Sequence, residues 1–206
     1  MKRKYILLTV ILLVVIGWGI RFYYVNATFD GPKLQYFKTG EKVPYENDFF
    51  YREDEVIDGY FITVEGATLY PIEDYLALHD IEYATLQRMN PDGYIPDYIY
   101  AVDVVFENEG NTDTSMGLNM FATLLISADL RLMINTDIWT LMYPHLQGSL
   151  TFKLHTDTTQ ALQLPYAVET QWEQDQMHTN DLSDRQFVLN ITQYPTRKLI
   201  AVDRYD

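Results

Sequence analysis

The stretch that decides the fold is YIYAVDVVFE, residues Tyr98 to Glu107. Its apolar side chains stand at alternate positions, namely Tyr98, Tyr100, Val102, Val104 and Phe106. Asp103 and Glu107 lie on the opposite face. A period of two is typical of a β-strand that packs one face against a core and leaves the other at least partly in water. The stretch therefore predicts a strand and makes β-sheet the starting point for the rest of the chain.

Two further elements are predicted before this strand. Residues Tyr60–Glu65 alternate in the same way and predict a strand. Pro71 predicts the start of a short helix, because proline suits the first turn and apolar residues then recur at helical spacing. His79 falls in the last turn, where a histidine complements the helix dipole, so we interpret it as a helix end rather than a ligand.

The chain after the central stretch predicts more strands and one more helix. Gly117–Ser127 is apolar almost throughout, which predicts a fully buried central strand. Asn135 or Thr136 is expected to cap a short helix that Pro144 stops. The remaining strands are predicted over Ser149–His155, Ala161–Tyr166, Phe187–Ile191 and Lys198–Val202. The polar segment Gln171–Asp184 is interpreted as a solvated or disordered loop.

This order of elements predicts the fold class. The strands follow one another without a βαβ rhythm and without an internal repeat. We therefore expect a mainly β domain, an antiparallel sandwich with one or two short helices.

The beginning of the chain predicts a membrane helix. Lys2, Arg3 and Lys4 precede the uncharged run Tyr5–Ile20, which Arg21 closes. That run covers roughly 24 Å of a hydrocarbon core of roughly 30 Å, and the aromatic residues after Arg21 extend it as an interfacial belt. Because basic residues resist translocation, we expect a single-pass protein in the cell membrane, with its N-terminus in the cytoplasm and the remainder extracellular.

A cleaved secretory signal is the alternative to an anchor. Val25-Asn26-Ala27 loosely fits a small-x-small cleavage site. The uncleaved anchor is favoured, because Arg21 and three bulky aromatic residues stand where a signal peptide is small and polar. With no cysteine in the chain, a lipid anchor is excluded.

Three segments follow from this assignment. Residues 1–25 are predicted to form the cytoplasmic tip and transmembrane anchor, and residues 26–52 a juxtamembrane stalk or wrapping segment. Residues 53–206 are predicted to form the extracytoplasmic β domain.

Composition limits the partners of the extracytoplasmic part. The net charge of the chain is -14, and Lys2, Arg3, Lys4 and Arg21 are its only charges before Asp30. The remainder thus holds 11 of the 15 basic residues and all 29 acidic ones. Such a surface repels nucleic acid and favours cationic peptides, basic protein patches or calcium, although the charge also serves solubility alone.

Three segments carry a resemblance to a known family: Asp58-Gly59-Tyr60, Pro96–Tyr100 together with Val104–Asn111, and Leu164–Ala167. They resemble an uncharacterised family of membrane-anchored extracytoplasmic proteins of Gram-positive bacteria. More distantly, the chain is similar to telokin-like immunoglobulin-fold domains of bacterial surface lipoproteins, although it lacks their lipidated cysteine. The resemblance implies an immunoglobulin-like β-sandwich at the cell surface and no catalytic residues.

Two functions are weighed on these grounds. The favoured one is a non-catalytic interaction module at the outer face of the membrane, which binds a protein, peptide or cell-wall component, as an accessory to a transporter or sensor. The alternative is a surface hydrolase that uses paired carboxylates on a cell-wall polymer. No catalytic, cofactor or metal residue is assigned. A calcium-stabilised domain would require Glu107, Glu109 and Asp113 to meet a further acidic loop.

Overall fold

The computed structural model describes residues 2–29, 31–52, 55, 57–91, 95–113, 117–168, 182 and 185–205. The polar segment predicted as a loop over Gln171–Asp184 lies outside these residues, apart from Leu182. The chain divides into two compact units, Met1–Pro32 and Lys33–Asp206. We call the second of them the β unit.

The first unit contains helix α1, Lys2–Thr28. Its 27 residues span about 40 Å, more than the hydrocarbon core of a bilayer, because the basic and aromatic flanks join the apolar run in one helix. Within the described residues this is the one helix long and apolar enough to cross a membrane. It is a candidate membrane span or signal sequence.

The β unit is built mainly of strands. They are β1 (Lys33–Phe37), β2 (Lys42–Pro44), β3 (Tyr60–Pro71), β4 (Tyr98–Asn108), β5 (Leu118–Asn119), β6 (Leu124–Ile126), β7 (Arg131–Leu132), β8 (Thr151–Phe152), β9 (Thr158–Val168), β10 (Phe187–Asn190) and β11 (Thr196–Val202). The helices are α2 (Ile72–Leu78), α3 (Tyr83–Met89) and α4 (Thr136–Met142).

These strands form three sheets. Five strands lie in the order β1-β11-β10-β6-β7, four in the order β2-β3-β4-β9, and β5 pairs with β8 alone. Pairs of named strands are antiparallel, as predicted, apart from β1 and β11, which run parallel. The first two strands lie within residues 26–52, so that segment supplies one strand to each larger sheet.

The strand predicted over Tyr98–Glu107 is confirmed as β4. It pairs along its whole length with β3 on one side and β9 on the other. Its inner face joins the main core, which draws buried side chains from both larger sheets, among them Tyr60, Ile62, Val64, Tyr100, Val104, Phe106, Phe187, Leu189, Ile200 and Val202. Its outer face is covered in part, because Ile99 and Ala101 pack with side chains of α2, α3 and α4 in a second cluster.

The predicted helices at Pro71 and Asn135 are both confirmed. Helix α2 follows Pro71 and ends at His79, and the Asn135 side chain caps α4 by accepting a hydrogen bond from the backbone N–H of Ile138 at 2.9 Å. Within the described residues the β unit has three short α-helices instead of one or two. The third, α3, buries only Leu86, so it lacks the amphipathic pattern that would reveal it in the sequence.

The prediction of one buried strand over Gly117–Ser127 is wrong. The stretch forms β5, a 3₁₀ turn at Met120–Ala122 and β6, and Phe121 in the turn is 50% exposed. The Asn119 side chain accepts a hydrogen bond from the Phe121 N–H at 3.0 Å, which ends the strand. Gly117 is pressed against backbone, since a Cβ there would lie 2.3 Å from the carbonyl oxygen of Phe152.

A buried ion pair joins β11 to the segment after β2. The side chain of Lys198 is 1% exposed, and its Nζ lies 2.7 Å from a carboxylate oxygen of Asp48 and 2.7 Å from one of Glu46. The same ammonium donates to the carbonyl oxygens of Pro44 and Tyr45, at 2.7 and 3.1 Å. Each proton of the buried cation therefore has an acceptor within reach.

Candidate functional site

A cluster of polar and aromatic side chains lies on the outer face of the four-stranded sheet. We call it the Asp103 cluster, and it consists of Tyr75, His79, Asp103, Tyr143, Gln163 and Tyr205. Its members come from α2, β4, the end of α4, β9 and the segment after β11. Five separate parts of the chain thus converge on one carboxylate.

The centre of the cluster is a pair of directly opposed residues on neighbouring strands. Asp103 of β4 and Gln163 of β9 are register partners. The Gln163 amide Nε2 donates to the Asp103 Oδ1 at 2.7 Å. Tyr143 holds the Gln163 backbone on both sides, because its hydroxyl accepts from the Gln163 N–H at 2.8 Å and donates to the Gln163 carbonyl at 3.1 Å.

Gln163 connects Asp103 to His79. Since the amide nitrogen of Gln163 faces the carboxylate, its Oε1 faces outward, and His79 Nε2 lies 3.1 Å from that oxygen. An amide oxygen accepts only, so His79 must donate from Nε2. The ring of His79 also stacks obliquely on Tyr75, with 4.7 Å between the ring centroids. The relay fixes the tautomer of a histidine placed at the end of α2.

A β-bulge and a glycine admit Tyr205. The register of β3 against β4 shifts between Val64 and Gly66. Gly66 has no Cβ, and one built there would lie 2.6 Å from the Tyr205 ring. Two backbone hydrogen bonds hold this segment over the sheet. The Ala67 N–H donates to the Asp203 carbonyl, and the Tyr205 N–H donates to the Ala67 carbonyl, both at 3.0 Å. The Tyr205 hydroxyl thereby lies near the Asp103 carboxylate.

Burial and the Asp103 charge keep the phenols of the cluster protonated. Burial first, and then nearby groups that include the Asp103 carboxylate, raise the pKa of Tyr75. Burial and the Asp103 charge also raise the pKa of Tyr143. Burial, the Asp103 carboxylate and then the Glu65 carboxylate raise the pKa of Tyr205. At neutral pH these hydroxyls are donors, not bases. The carboxylate thus has neutral donors and aromatic rings around it, a setting that favours a positively charged group.

Other residues considered from the sequence lie elsewhere. The Nζ of Lys42 contacts the carboxylates of Glu107 and Glu109, at 2.8 and 2.6 Å, so both are already engaged by a cation. Asp113 lines a cleft beside Asp58 and Glu109. Within the described residues no group of three or more His, Asp or Glu side chains is arranged to hold a metal ion.

Two of the segments that carry the family resemblance, Asp58-Gly59-Tyr60 and the stretch that ends at Asn111, meet in turns at one end of the β unit, whereas Leu164–Ala167 lies within β9. The Asn111 side chain donates to the Asp58 carbonyl at 2.5 Å, and the Glu109 N–H donates to the Gly59 carbonyl at 2.8 Å. Gly59 has φ +86°, and a Cβ there would lie 2.8 Å from the Glu109 carbonyl oxygen. Only glycine fits this position without strain. The resemblance therefore rests on residues that shape the fold.

Sequence reasoning missed the Asp103 cluster because its members are distant in the chain. The alternation of the strand places Asp103 on its partly wet face, and the helix pattern accounts for His79 without any partner. One signal was present: Asp103 is the single charged residue in the run Tyr98–Phe106. A carboxylate in the middle of a strand that pairs on both sides requires partners on the sheet face.

Comparison with known proteins gives one match. Residues 34–198, about four fifths of the chain, match the family model described as "Domain of unknown function (DUF5028)". No curated protein and no solved structure matches the chain significantly.

Proposed function

Since the chain belongs to the DUF5028 family, whose description assigns no activity, we propose that it is a non-catalytic interaction module tethered to the outer face of a membrane. It binds a protein, peptide or cell-wall component in the envelope of a Gram-positive bacterium, as an accessory to a transporter or sensor. In this proposal α1 is the anchor, with its N-terminus in the cytoplasm. The two larger sheets of the β unit form an immunoglobulin-like sandwich outside the membrane.

Charge and the candidate anchor support the location. The basic residues Lys2, Arg3 and Lys4 precede the apolar run, and the residues after α1 carry a large acidic excess. Positive charge on the cytoplasmic side is the usual determinant of orientation for a single span. A strongly acidic exterior favours encounter with basic partners over anionic lipid or wall phosphates.

The observation that carries the function is the environment of Asp103. Its carboxylate accepts a hydrogen bond from the Gln163 amide, a neutral donor, and the Tyr205 hydroxyl, also neutral, lies nearby. The exposed fraction of Tyr205 is 49%, so its ring and the carboxylate beside it border solvent. We assign to this site the recognition of an ammonium or guanidinium group, because a carboxylate supplies the charge and tyrosine rings supply cation–π contacts.

We expect Asp103→Asn to weaken partner binding about tenfold, since hydrogen bonds to charged groups contribute about 1.5–3 kcal/mol and the amide removes the charge at nearly constant shape. The measurement is amine-reactive crosslinking of the full-length protein in its native membrane, with mass spectrometry of the captured partners. Asp74→Asn, on the exposed first turn of nearby α2, makes the same charge change outside the cluster and serves as the control.

Equal capture by wild type, D103N and D74N would contradict the proposed site. Equal loss in D103N and D74N would assign the effect to total charge instead of to the cluster. Circular dichroism of each variant verifies that the β unit is folded.

The hydrolase alternative has one observation in its favour. After burial, the Asp103 and Glu65 carboxylates both raise the pKa of the Tyr205 hydroxyl, so two carboxylates lie near one exposed phenol. Release of reducing ends from peptidoglycan by the full-length protein, abolished in D103N and in Glu65→Gln, would establish catalysis and overturn the non-catalytic proposal.

A further inference from the structure

The edge strand β1 differs from the other edges of the two larger sheets. Strand β2 has three residues and ends in Pro44, and β7 has two residues. Strand β9 contains Pro165, and its outer side is partly paired, because Asn135 donates to the Pro165 carbonyl at 2.8 Å and Ala167 to the Met133 carbonyl at 3.1 Å. Short length, proline and a covering segment are the usual protections of an edge.

Strand β1 has none of these protections. It is five residues long, contains no proline and pairs with β11 along one side. In the described part of the chain no strand pairs with its other side. Alternate backbone N–H and C=O groups of a strand point to opposite sides, so about half of those in β1 face outward. This is the template that an added strand requires.

The side chains of β1 add apolar contact to this template. Leu34 and Tyr36 lie on one face, because side chains two residues apart in a strand point the same way. They are 56% and 69% exposed, whereas the Phe37 side chain packs against the main core. A strand laid along β1 would thus cover two large apolar side chains on one of its faces.

The basic residues around β1 indicate which kind of strand would bind to it. Lys33 and Lys38 flank the exposed pair, and Arg197 of β11 is the register partner of Leu34. One carboxylate lies close to these basic residues: that of Glu41, which accepts a hydrogen bond from the Lys38 backbone N–H at 3.1 Å. The edge is therefore locally basic on a β unit that is strongly acidic. A second copy of β1 would bring lysine against lysine, whereas an acidic strand meets opposite charge.

We propose that β1 binds an extended acidic segment of a partner protein as an added antiparallel strand. Such a segment has two apolar residues at alternate positions, over Leu34 and Tyr36, and acidic residues at its ends, near Lys33 and Lys38. Antiparallel pairing is chosen because its ladder is the more stable per residue. This surface is separate from the Asp103 cluster, which belongs to the other sheet.

The test uses the full-length chain in nanodiscs of a zwitterionic lipid. The probe is a fluorescein-labelled peptide, Asp-Thr-Val-Thr-Val-Glu, with blocked ends, and its binding is measured by anisotropy. We expect the double variant K33E/K38E to weaken binding at least about tenfold, since opposed charges become like charges, and to bind the peptide Lys-Thr-Val-Thr-Val-Lys instead. R131E/K153E, which changes two exposed basic residues elsewhere, is the control.

Hydrogen exchange locates the contact. The acidic peptide is expected to protect about two or three backbone amides in residues 33–38 and to leave Asp103 and its neighbours unchanged. No binding of the acidic peptide, equal weakening in R131E/K153E, or protection elsewhere overturns the proposal. Protection of residues 33–38 by nanodiscs that contain anionic phosphatidylglycerol, without any peptide, assigns the edge to a lipid surface and overturns it as well.

Discussion

Replacement of Lys198 by methionine is expected to lower the free energy of unfolding of the β unit by about 3–5 kcal/mol, the cost of breaking a buried ion pair by removing one partner. Methionine fills a similar volume, so the effect arises from the groups left behind. Asp48 is 4% exposed and would keep a carboxylate without its cation. The carbonyls of Pro44 and Tyr45 would each lose the ammonium as a donor, and among the described residues Tyr45 would keep only the Asp48 N–H. Glu46 is largely exposed and turns to water at little cost.

The measurement for this variant is urea unfolding of the full-length protein in detergent micelles, followed by circular dichroism of the sheets. With a slope of about 2 kcal/mol per molar, the midpoint is expected to fall by about 2 M. Lys153→Met, at an exposed position, is the control and should change stability by less than about 0.5 kcal/mol. The double variant K198M/D48N should recover part of the loss, since it also removes the stranded charge. A midpoint unchanged by K198M would show that the ammonium is in water.

Asn108→Ala is expected to destabilise the β unit by about 2–4 kcal/mol and to loosen one end of it. The carboxamide of Asn108 is buried and donates to the carbonyls of Asn111 and Leu154, both at 3.0 Å. Its Oδ1 accepts from the Asn111 N–H, also at 3.0 Å. Three hydrogen bonds at about 1 kcal/mol each account for the magnitude, and of the groups that the structure describes, the carbonyls of Asn111 and Leu154 keep only the hydroxyls of Thr156 and Tyr60 as donors.

The location of the Asn108 effect is as informative as its size. Amide exchange should accelerate in residues 109–113 and 153–157, which this side chain connects, and should be unchanged in β1 and β11. Asn119→Ala is the matched control, because Asn119 holds a single backbone N–H, that of Phe121, outside these loops. It is expected to cost about 1 kcal/mol and to leave exchange in both loops unaltered. Uniform acceleration across the β unit in N108A would contradict a local role.

Strands β3 and β4 could be predicted because burial alternates along part of each. Tyr60, Ile62 and Val64 are buried on one face of β3, and Val102, Val104 and Phe106 on one face of β4. The cap at Asn135 was predictable for a related reason, since capping depends on one side chain and the N–H three residues later. Local rules of this kind act over a few residues, so a single sequence contains them.

Other parts of the fold depend on contacts that no local pattern encodes. Strand β1 is exposed along most of its length, so its burial has no period to detect. The strand ends at Asn119 because of one side-chain hydrogen bond. In the sequence, where that bond cannot be seen, the apolar run looks like a buried strand. The nearly unbroken apolar run therefore predicts a more regular structure than residues 117–127 have.

The Asp103 cluster and the Lys198 ion pair could not be predicted for the same reason. Gln163 and Asp103 are separated by 60 residues, and Lys198 and Glu46 by 152. Each contact exists only once the sheet register is set, and a register shift of one residue would turn the side chains to the other face. The sequence shows which residues can carry charge, whereas the pairing of strands decides which of them meet.

The parallel pairing of β1 with β11 has a consequence for biosynthesis. The ribosome delivers β1 early, but its neighbour follows much later, as the bond between Thr39 and the Ala201 carbonyl shows across 162 residues. Closing so long a loop is slow, and the sheet cannot close before the partner strand exists. A chain cut short before residue 196 leaves β1 without a neighbour and the Asp48 carboxylate without its ammonium. Such products carry an unpaired strand edge and an uncompensated carboxylate, and incomplete chains of this kind are prone to aggregation and degradation.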